Sequence, residues 1–417
     1  MGWQNLPGTM LAFRRVIAAF READWLSAQR AHAWCVVLVL ATSAMAVVWV
    51  GLSHDGVDLW GKPLGTDFLS FWTASRFALD GQPTLAYDML AHAAAQRALF
   101  PAAEPGYYAF FYPPVFLLIC LPLAMAPYLA ALVLWLAAGF VALLACVRRL
   151  LPQRWAILPV FAFPGVLLNV EHGQNAFLSA GCFGGFMLLL QRRPFVAGLC
   201  LGGLVFKPHL LLAAPVALLA GRRWAAIAGG VTSGLGLGLA SLYCFGAGTW
   251  LAFLDAAPLA RETLEQDLVG PAKMQSMFAA IRVLHGSVTV AYAAQVMVAV
   301  FAATLLGAAA GRRPGASAEG ALLIVATLLC TPFLLDYDLV CMALPIAWVM
   351  AEALRTGWLP WEKSALFAAY VLPLVSRPLA ISLGLPIAPM VILALLLAVG
   401  RRASALAGRR VAGSSFA

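Results

Sequence analysis

From residue 33 to residue 400 the chain is a succession of apolar runs close to membrane-spanning length, and the charges are confined to the gaps between them. The runs lie at about 33–52, 113–126, 128–147, 155–169, 176–190, 195–206, 209–220, 225–245, 289–310, 320–333, 339–354, 364–376 and 379–399. A helix needs roughly 20 apolar residues to cross a bilayer, and in lipid every backbone polar group must be satisfied within the structure. Runs of this kind fold as a bundle of membrane helices. Only 11% of residues are charged and 63% are hydrophobic, whereas a soluble domain carries about a quarter of its residues charged. The expected fold class is all-α: a polytopic transmembrane helical bundle of about 11–13 spans. No polar stretch is long enough for a soluble domain.

The expected organisation is a basic arm over 1–32, a single membrane domain over 33–400, and a basic tail over 401–417. Two longer polar segments interrupt the membrane domain, a first outer loop at about 53–111 and a second at about 246–285. The arm lacks a small-residue cleavage site and is not expected to be a removable signal. The net charge of +9 does not point to nucleic acid, because the arginines are dispersed as pairs between apolar runs. All eight cysteines lie in or beside apolar segments with no C-x-x-C spacing, as small buried residues rather than disulfides or metal ligands.

The arginine pairs Arg148-Arg149, Arg192-Arg193, Arg222-Arg223, Arg312-Arg313 and Arg401-Arg402 set the topology. Under the positive-inside rule these ends, with the N-terminus, face the cytoplasm. Every acidic residue except Glu22, Asp24, Glu319, Glu352 and Glu362 then falls on the outer side. Acidic residues contribute little to orientation, so their collection outside points to use there. Counting each run as a full span would put Arg148-Arg149 outside. A re-entrant or broken 113–126, which is short and proline-rich, restores the parity.

Five motifs carry chemistry. In G-T-D-F-L-S-F-W-T-A-S-R-F-A-L-D-G (65–81), Phe68, Phe71, Trp72 and Ser75 recur at helical spacing, describing an amphipathic interfacial helix opened by Thr66 or Asp67 and closed by Gly81. Asp67 is either its N-cap or a partly desolvated carboxylate suited to taking a proton from a hydroxyl. In F-F-Y-P-P (110–114) the prolines start a helix, and Tyr112 is an aromatic-belt residue or a sugar platform. In N-V-E-H-G-Q-N (169–175), Gly173 permits a tight bend, and Gln174 and Asn175 either cap the next helix or bind sugar hydroxyls. In F-K-P-H (206–209), Lys207 is a cation at membrane depth beside a helix-breaking proline; it snorkels, or with His209 it binds a phosphate. In D-Y-D (336–338), Asp336 and Asp338 are loop charges or part of a polar site with Lys207.

The series G-T-D-F-x-x-F-W-x-A-x-x-x-x-L-x-G-x-P-x-x-x-Y-D (65–88), Y-P-P, H-G-Q-N, R-R-P-F-x-A-G-x-x-x-G-G-L-x-x-K-P-H (192–209) and G-R-R-W (221–224) resembles the glycosyltransferase family 87 membrane proteins, which are similar to polyprenyl-phosphate-mannose-dependent mannosyltransferases. The resemblance runs from about residue 60 to residue 340. It implies the GT-C architecture, Asp67 as catalytic base and a polyprenyl-phosphate sugar as donor. Lys207, His209 and Arg76 are then expected at the donor phosphate, and Gln174, Asn175, Tyr112, Asp336 and Asp338 at the substrates. The acceptor expected is a glycan or glycolipid; the remaining partner is membrane lipid, with no nucleic acid. No cofactor or metal is expected, although Asp336 and Asp338 leave a divalent cation open. The expected location is a bacterial plasma membrane. A transporter or flippase of a lipid-linked sugar would also place charges at membrane depth, but should show internal repeats or paired broken helices, which the sequence lacks.

The arginine asymmetry generates a direct expectation. Cysteines placed at Asp58 and Glu171 in a cysteine-free background should react with an impermeant maleimide added to intact cells. Reaction at either position only after the cells are opened would reverse the orientation.

Overall fold

The computed structural model describes residues 8–414, with side chains from residue 14 to 408; residues 1–7 of the basic arm and 415–417 of the basic tail lie outside the described residues. The described chain is helical throughout, with three isolated β-bridges and no strand among the described residues. Helices α1 (Gly8–Glu22) and α2 (Ala28–Gly51) precede α3 (Thr66–Leu79), α4 (Met89–Leu99), α5 (Pro114–Cys120) and α6 (Tyr128–Leu150). Then come α7 (Ile157–Phe161), α8 (Pro164–His172), α9 (Ala176–Leu189), α10 (Pro194–Gly202), α11 (Ala214–Ala220) and α12 (Trp224–Glu265). The last six are α13 (Met277–Val283), α14 (Val288–Gly311), α15 (Ala316–Cys330), α16 (Ala343–Thr356), α17 (Glu362–Leu383) and α18 (Ala388–Ser414).

Among the described residues seven helices are long and apolar enough to cross a membrane, or eight if the bent pair 154–161 and 164–172 is one span. That is fewer full-length spans than the apolar runs suggested. Five runs form apolar helices of only 10–17 residues, Pro114–Met125, Ala176–Leu189, Pro194–Phe206, Pro208–Ala220 and Ala316–Cys330. Prolines explain several of these breaks. Pro164 stands in the first turn of α8 and bends the pair by 52°, because it lacks the N–H donor and pushes Phe163 out of the helical region. Pro208 separates two 3-10 turns around Lys207 in the same way.

Two ends of the bundle emerge from the contacts. At one end Tyr128 donates to the Leu64 and Gly65 carbonyls beside α3, and α6 runs from there to Arg148-Arg149 at the other. The segment 113–126 returns to the end at which it starts: Tyr112 reaches Gln174, the Ala126 carbonyl accepts from Trp72, and Ser75 Oγ donates to Leu121 O and accepts from Ala124 N–H. The chain from Arg192-Arg193 through α10, Lys207 and α11 to Arg222-Arg223 is a second hairpin, with Lys207 at its tip. Backbone contact fixes its first arm to α12: a Cβ at Gly198 of α10 or Gly229 of α12 would overlap the facing carbonyls of Ala226 and Phe195, the small-residue packing that membrane helices use.

The arginine end is not simply a charged rim. Arg223 forms a 2.7 Å ion pair with Glu319, which is fully buried between α12 and α15. Arg402 is itself buried, paired with Glu362 and donating to Thr356 Oγ1 at 2.6 Å, and so ties α16, α17 and α18 together. Arg401-Arg402 therefore belong to α18, which continues into the expected tail. The second polar segment also differs from expectation. Residues 246–265 extend α12, interrupted only at Gly246, where φ is 76°.

Candidate active site at the carboxylate end

The site begins at Gly65. Its φ of 69° places it in the left-handed region at the N-cap of α3, with no side-chain cap. A side chain there would also collide with Leu132. The chain turns sharply and presents Thr66 and Asp67 in the first helical turn. Neither residue caps: Asp67 Oδ2 accepts from Gln174 Nε2 at 3.1 Å, and Oδ1 accepts no hydrogen bond from the described residues. The helix differs from expectation in its burial too. Both the predicted apolar face, at Phe68, Phe71 and Ser75, and the opposite positions Leu69, Ser70 and Thr73 are buried. Helix α3 is thus packed inside the protein rather than lying on an interface, and Asp67 is half-buried at its mouth.

Gln174 links three elements. Its Oε1 accepts from the Tyr112 hydroxyl at 3.3 Å and from the Asn175 N–H at 2.8 Å, while its amide holds Asp67. It therefore takes part of the expected capping role at α9. Asn169 takes the rest, its Oδ1 accepting from Ala176 N–H at 3.1 Å. Asn175 is buried and its side-chain atoms have no partner among the described residues. Tyr112 is not a membrane-belt residue. Its ring packs on Phe71 and Phe116 at 5.4 and 4.4 Å. Burial pushes its phenol up to about 12, so it remains a hydrogen-bond donor at neutral pH. Upstream, Gln96 exchanges two hydrogen bonds with the Tyr108 backbone, at 2.7 and 3.1 Å, and His92 anchors α4 to the Ser70 carbonyl. These contacts fix the segment that carries Tyr112.

Deeper in the bundle Lys207 donates to Asp338 Oδ1 at 2.7 Å, and both residues are buried. Of the two sequence readings for D-Y-D, the polar site with Lys207 is the one formed. Between this pair and Asp67 lies Tyr337. Lys207 Nζ is 5.1 Å and Lys273 Nζ 5.7 Å from its ring centre, and the His172 ring meets it edge-on at 5.8 Å. Thr66 Oγ1 and His172 Nδ1 are 3.0 Å apart. Asp336 is buried, its Oδ1 accepting from Tyr337 N–H, with Arg377 Nη1 3.7 Å from Oδ2.

The arrangement brings together Asp67, Gln174, Tyr112, Lys207, Asp336 and Asp338. It leaves Arg76 outside, paired with Asp80 one turn along α3 with both side chains about half exposed. His209 packs edge-on against Phe333 at 6.2 Å, and its Nε2 has no partner among the described residues. Four members were not singled out from the sequence: His172, Tyr337, Lys273 and Arg377. His172 and Tyr337 stood within quoted motifs, and scarcity could have flagged Lys273, one of only four lysines. Among the described residues no group of three His, Cys, Asp or Glu side chains is arranged to hold a metal; Asp336 and Asp338 face different partners. An apolar cavity of about 690 Å³ lies elsewhere, between α17 and α18 beside Trp25 and Arg401.

An all-helical membrane bundle with carboxylates, amides and cations gathered at one end suits an enzyme acting on a polar group presented at a membrane. Residues 110–332 match the model of glycosyltransferase family 87, and the chain belongs to that family. The protein is therefore a multi-pass membrane glycosyltransferase. No curated protein and no solved structure matches it.

The Gln174 bridge can be tested directly. Gln174→Leu leaves Asp67 Oδ2 and the Tyr112 hydroxyl without partners, and each unsatisfied group costs about 1–3 kcal/mol. Sugar transfer should fall roughly tenfold to a hundredfold, and Tyr112→Phe should cost only about fivefold, the worth of one neutral hydrogen bond. Wild-type initial rates for Gln174→Leu would exclude the bridge from positioning Asp67.

Proposed function

We propose that the protein transfers a sugar, mannose or a related hexose or pentose, from a polyprenyl-phosphate donor to a glycan or glycolipid acceptor on the outer face of a bacterial plasma membrane. The observation that carries this reading is Asp67. One of its carboxylate oxygens is held by Gln174 and the other is uncommitted among the described residues, at the bundle end opposite the arginine pairs. A carboxylate so fixed can accept a proton in one defined direction.

The reaction is a single displacement. Asp67 takes the proton from an acceptor hydroxyl as that oxygen attacks the anomeric carbon. The bond from the anomeric carbon to the phosphate oxygen breaks, the polyprenyl phosphate departs with the bonding pair, and the anomeric configuration inverts. Charge grows on the leaving phosphate, so cations near Tyr337 stabilise the transition state more than the bound donor. The step balances without a cofactor. Gln174, Asn175 and Tyr112 offer amide and hydroxyl groups to the sugars, and Asp336 and Asp338 hold the cations. His209 lines the hairpin tip behind Lys207, and Arg76, paired with Asp80, has no assigned part. The family match and the single large polar loop before Tyr112 favour transfer over transport.

Asp67→Asn separates base from structural support. Asparagine keeps an oxygen that can accept from Gln174 but cannot take the proton, so transfer should fall roughly 10²- to 10⁴-fold while the thermal midpoint stays near wild type. Full activity in purified Asp67→Asn protein would remove Asp67 as the base.

A further inference from the structure

We propose that the donor's phosphate is seated by Lys273 and Arg377, on either side of Asp336 and Tyr337, and not by Lys207. The proposal rests on the lipid-phosphate reading above and names the residues that recognise the headgroup. Lys207 has its charge spent: it is buried and closed onto Asp338 at 2.7 Å. A phosphate could take its place beside Lys207 only by uncovering Asp338 in a low-dielectric interior, which is costly.

Lys273 and Arg377 are differently placed. Lys273 is half-buried, and its ammonium makes no hydrogen bond to the described residues, only the approach to the Tyr337 ring. The segment that carries it is fixed to the D-Y-D segment: Asp336 N–H donates to the Lys273 carbonyl, Gln275 N–H donates to Leu334 O at 2.7 Å, and Met274 bridges Leu335. Lys273 is therefore held in register with Asp336 although it belongs to a loop. Arg377 reaches the same carboxylate from α17, but at 3.7 Å and with its side chain 44% exposed. None of its donors makes a hydrogen bond to the described residues. An arginine within a membrane helix is expensive and usually functional, and its planar fork suits phosphate oxygens. Pro378, directly after it, cannot bond the Leu374 carbonyl and so weakens the helix at that turn.

Two buried polar atoms nearby also lack hydrogen-bond partners among the described residues, His172 Nε2 and Asp336 Oδ2. His172 is only 8% exposed and its ring abuts Tyr337. As a donor, Nε2–H matches an oxygen of a bound anion. The charges balance as well. Lys273 and Arg377 against Asp336 leave one positive charge, equal and opposite to a phosphodiester. On departure the phosphate becomes a monoester with more negative charge, and the same two cations then bind it more tightly.

The test measures binding without transfer. Purified protein in zwitterionic-lipid nanodiscs is titrated with a fluorescent polyprenyl phosphate, and unlabelled polyprenyl phosphate, polyprenol of equal length and inorganic phosphate compete. Lys273→Gln and Arg377→Gln should each weaken polyprenyl-phosphate binding about tenfold to a hundredfold, the worth of a charge-assisted contact, and leave polyprenol unchanged. Arg377→Lys should restore most of the loss. Wild-type binding in both Gln variants, with the loss appearing in Lys207→Met instead, would overturn the seat. If wild type prefers polyprenyl phosphate no more than polyprenol, the lipid-phosphate reading itself fails. If inorganic phosphate competes at equal concentration, the site is a general anion site and the lipid assignment is wrong. Lys273 lies on a half-exposed loop outside the helical core, so Lys273→Gln remains informative even if Arg377→Gln does not fold.

Discussion

The ion pair between Lys207 and Asp338 is the contact on which the site depends. An ammonium and a carboxylate removed from water must find each other or pay the solvation of both, and here they come from segments 131 residues apart. Closing that pair pins the tip of the α10–α11 hairpin to the D-Y-D segment. Tyr337 is thereby fixed between the two carboxylates, and His172, Lys273 and Arg377 take their places around it. Asp67, held by Gln174, adjoins this group through its neighbour Thr66, which contacts His172. The end of the bundle opposite the arginine pairs thus gathers these polar groups between apolar walls.

The opposite end uses the same physics for a different purpose. Glu319 and Glu362 are buried carboxylates, each answered by an arginine from a pair whose other member is exposed. These contacts join helix ends that have no long loop to hold them. Two of the arginine pairs therefore supply partners that lock the bundle at this end. The short helices α9, α10, α11 and α15 fit the same scheme. Each of them is too short to cross a hydrocarbon core of about 30 Å alone. They pack instead against longer neighbours, and in α10 and α12 the absence of side chains at Gly198 and Gly229 permits backbone contact.

Much of this was legible in the residues. Hydropathy pointed to the class of fold, and parity suggested a re-entrant or broken 113–126, which in the structure returns to the end at which it starts. Asp67, Gln174, Tyr112, Lys207, Asp336 and Asp338 stood out as polar groups at the edges of apolar runs, and they converge. The sequence left Asp336 and Asp338 as loop charges or partners of Lys207, because nothing local distinguishes a bound cation from a free one when its partner lies 131 residues away. Arg377 stood in the short gap between the runs at 364–376 and 379–399, where it read as a loop charge, and only the approach of α17 to Asp336 gives it a place. Arg76 erred in the other direction: close to Asp67 in sequence, it projects to the exposed side of α3. The period of the α3 pattern was also misleading, since a helix buried on several faces shows no polar side to read.

The chemistry proposed for this network turns on the identity of the donor. Purified protein in lipid, supplied with a membrane glycolipid fraction as acceptor, should transfer radiolabelled mannose from polyprenyl-phosphate mannose and give no product from the corresponding nucleotide sugar. Efficient transfer from the nucleotide sugar in the absence of any lipid-linked sugar would contradict a lipid-phosphate donor, and with it the role given to the cations around Tyr337.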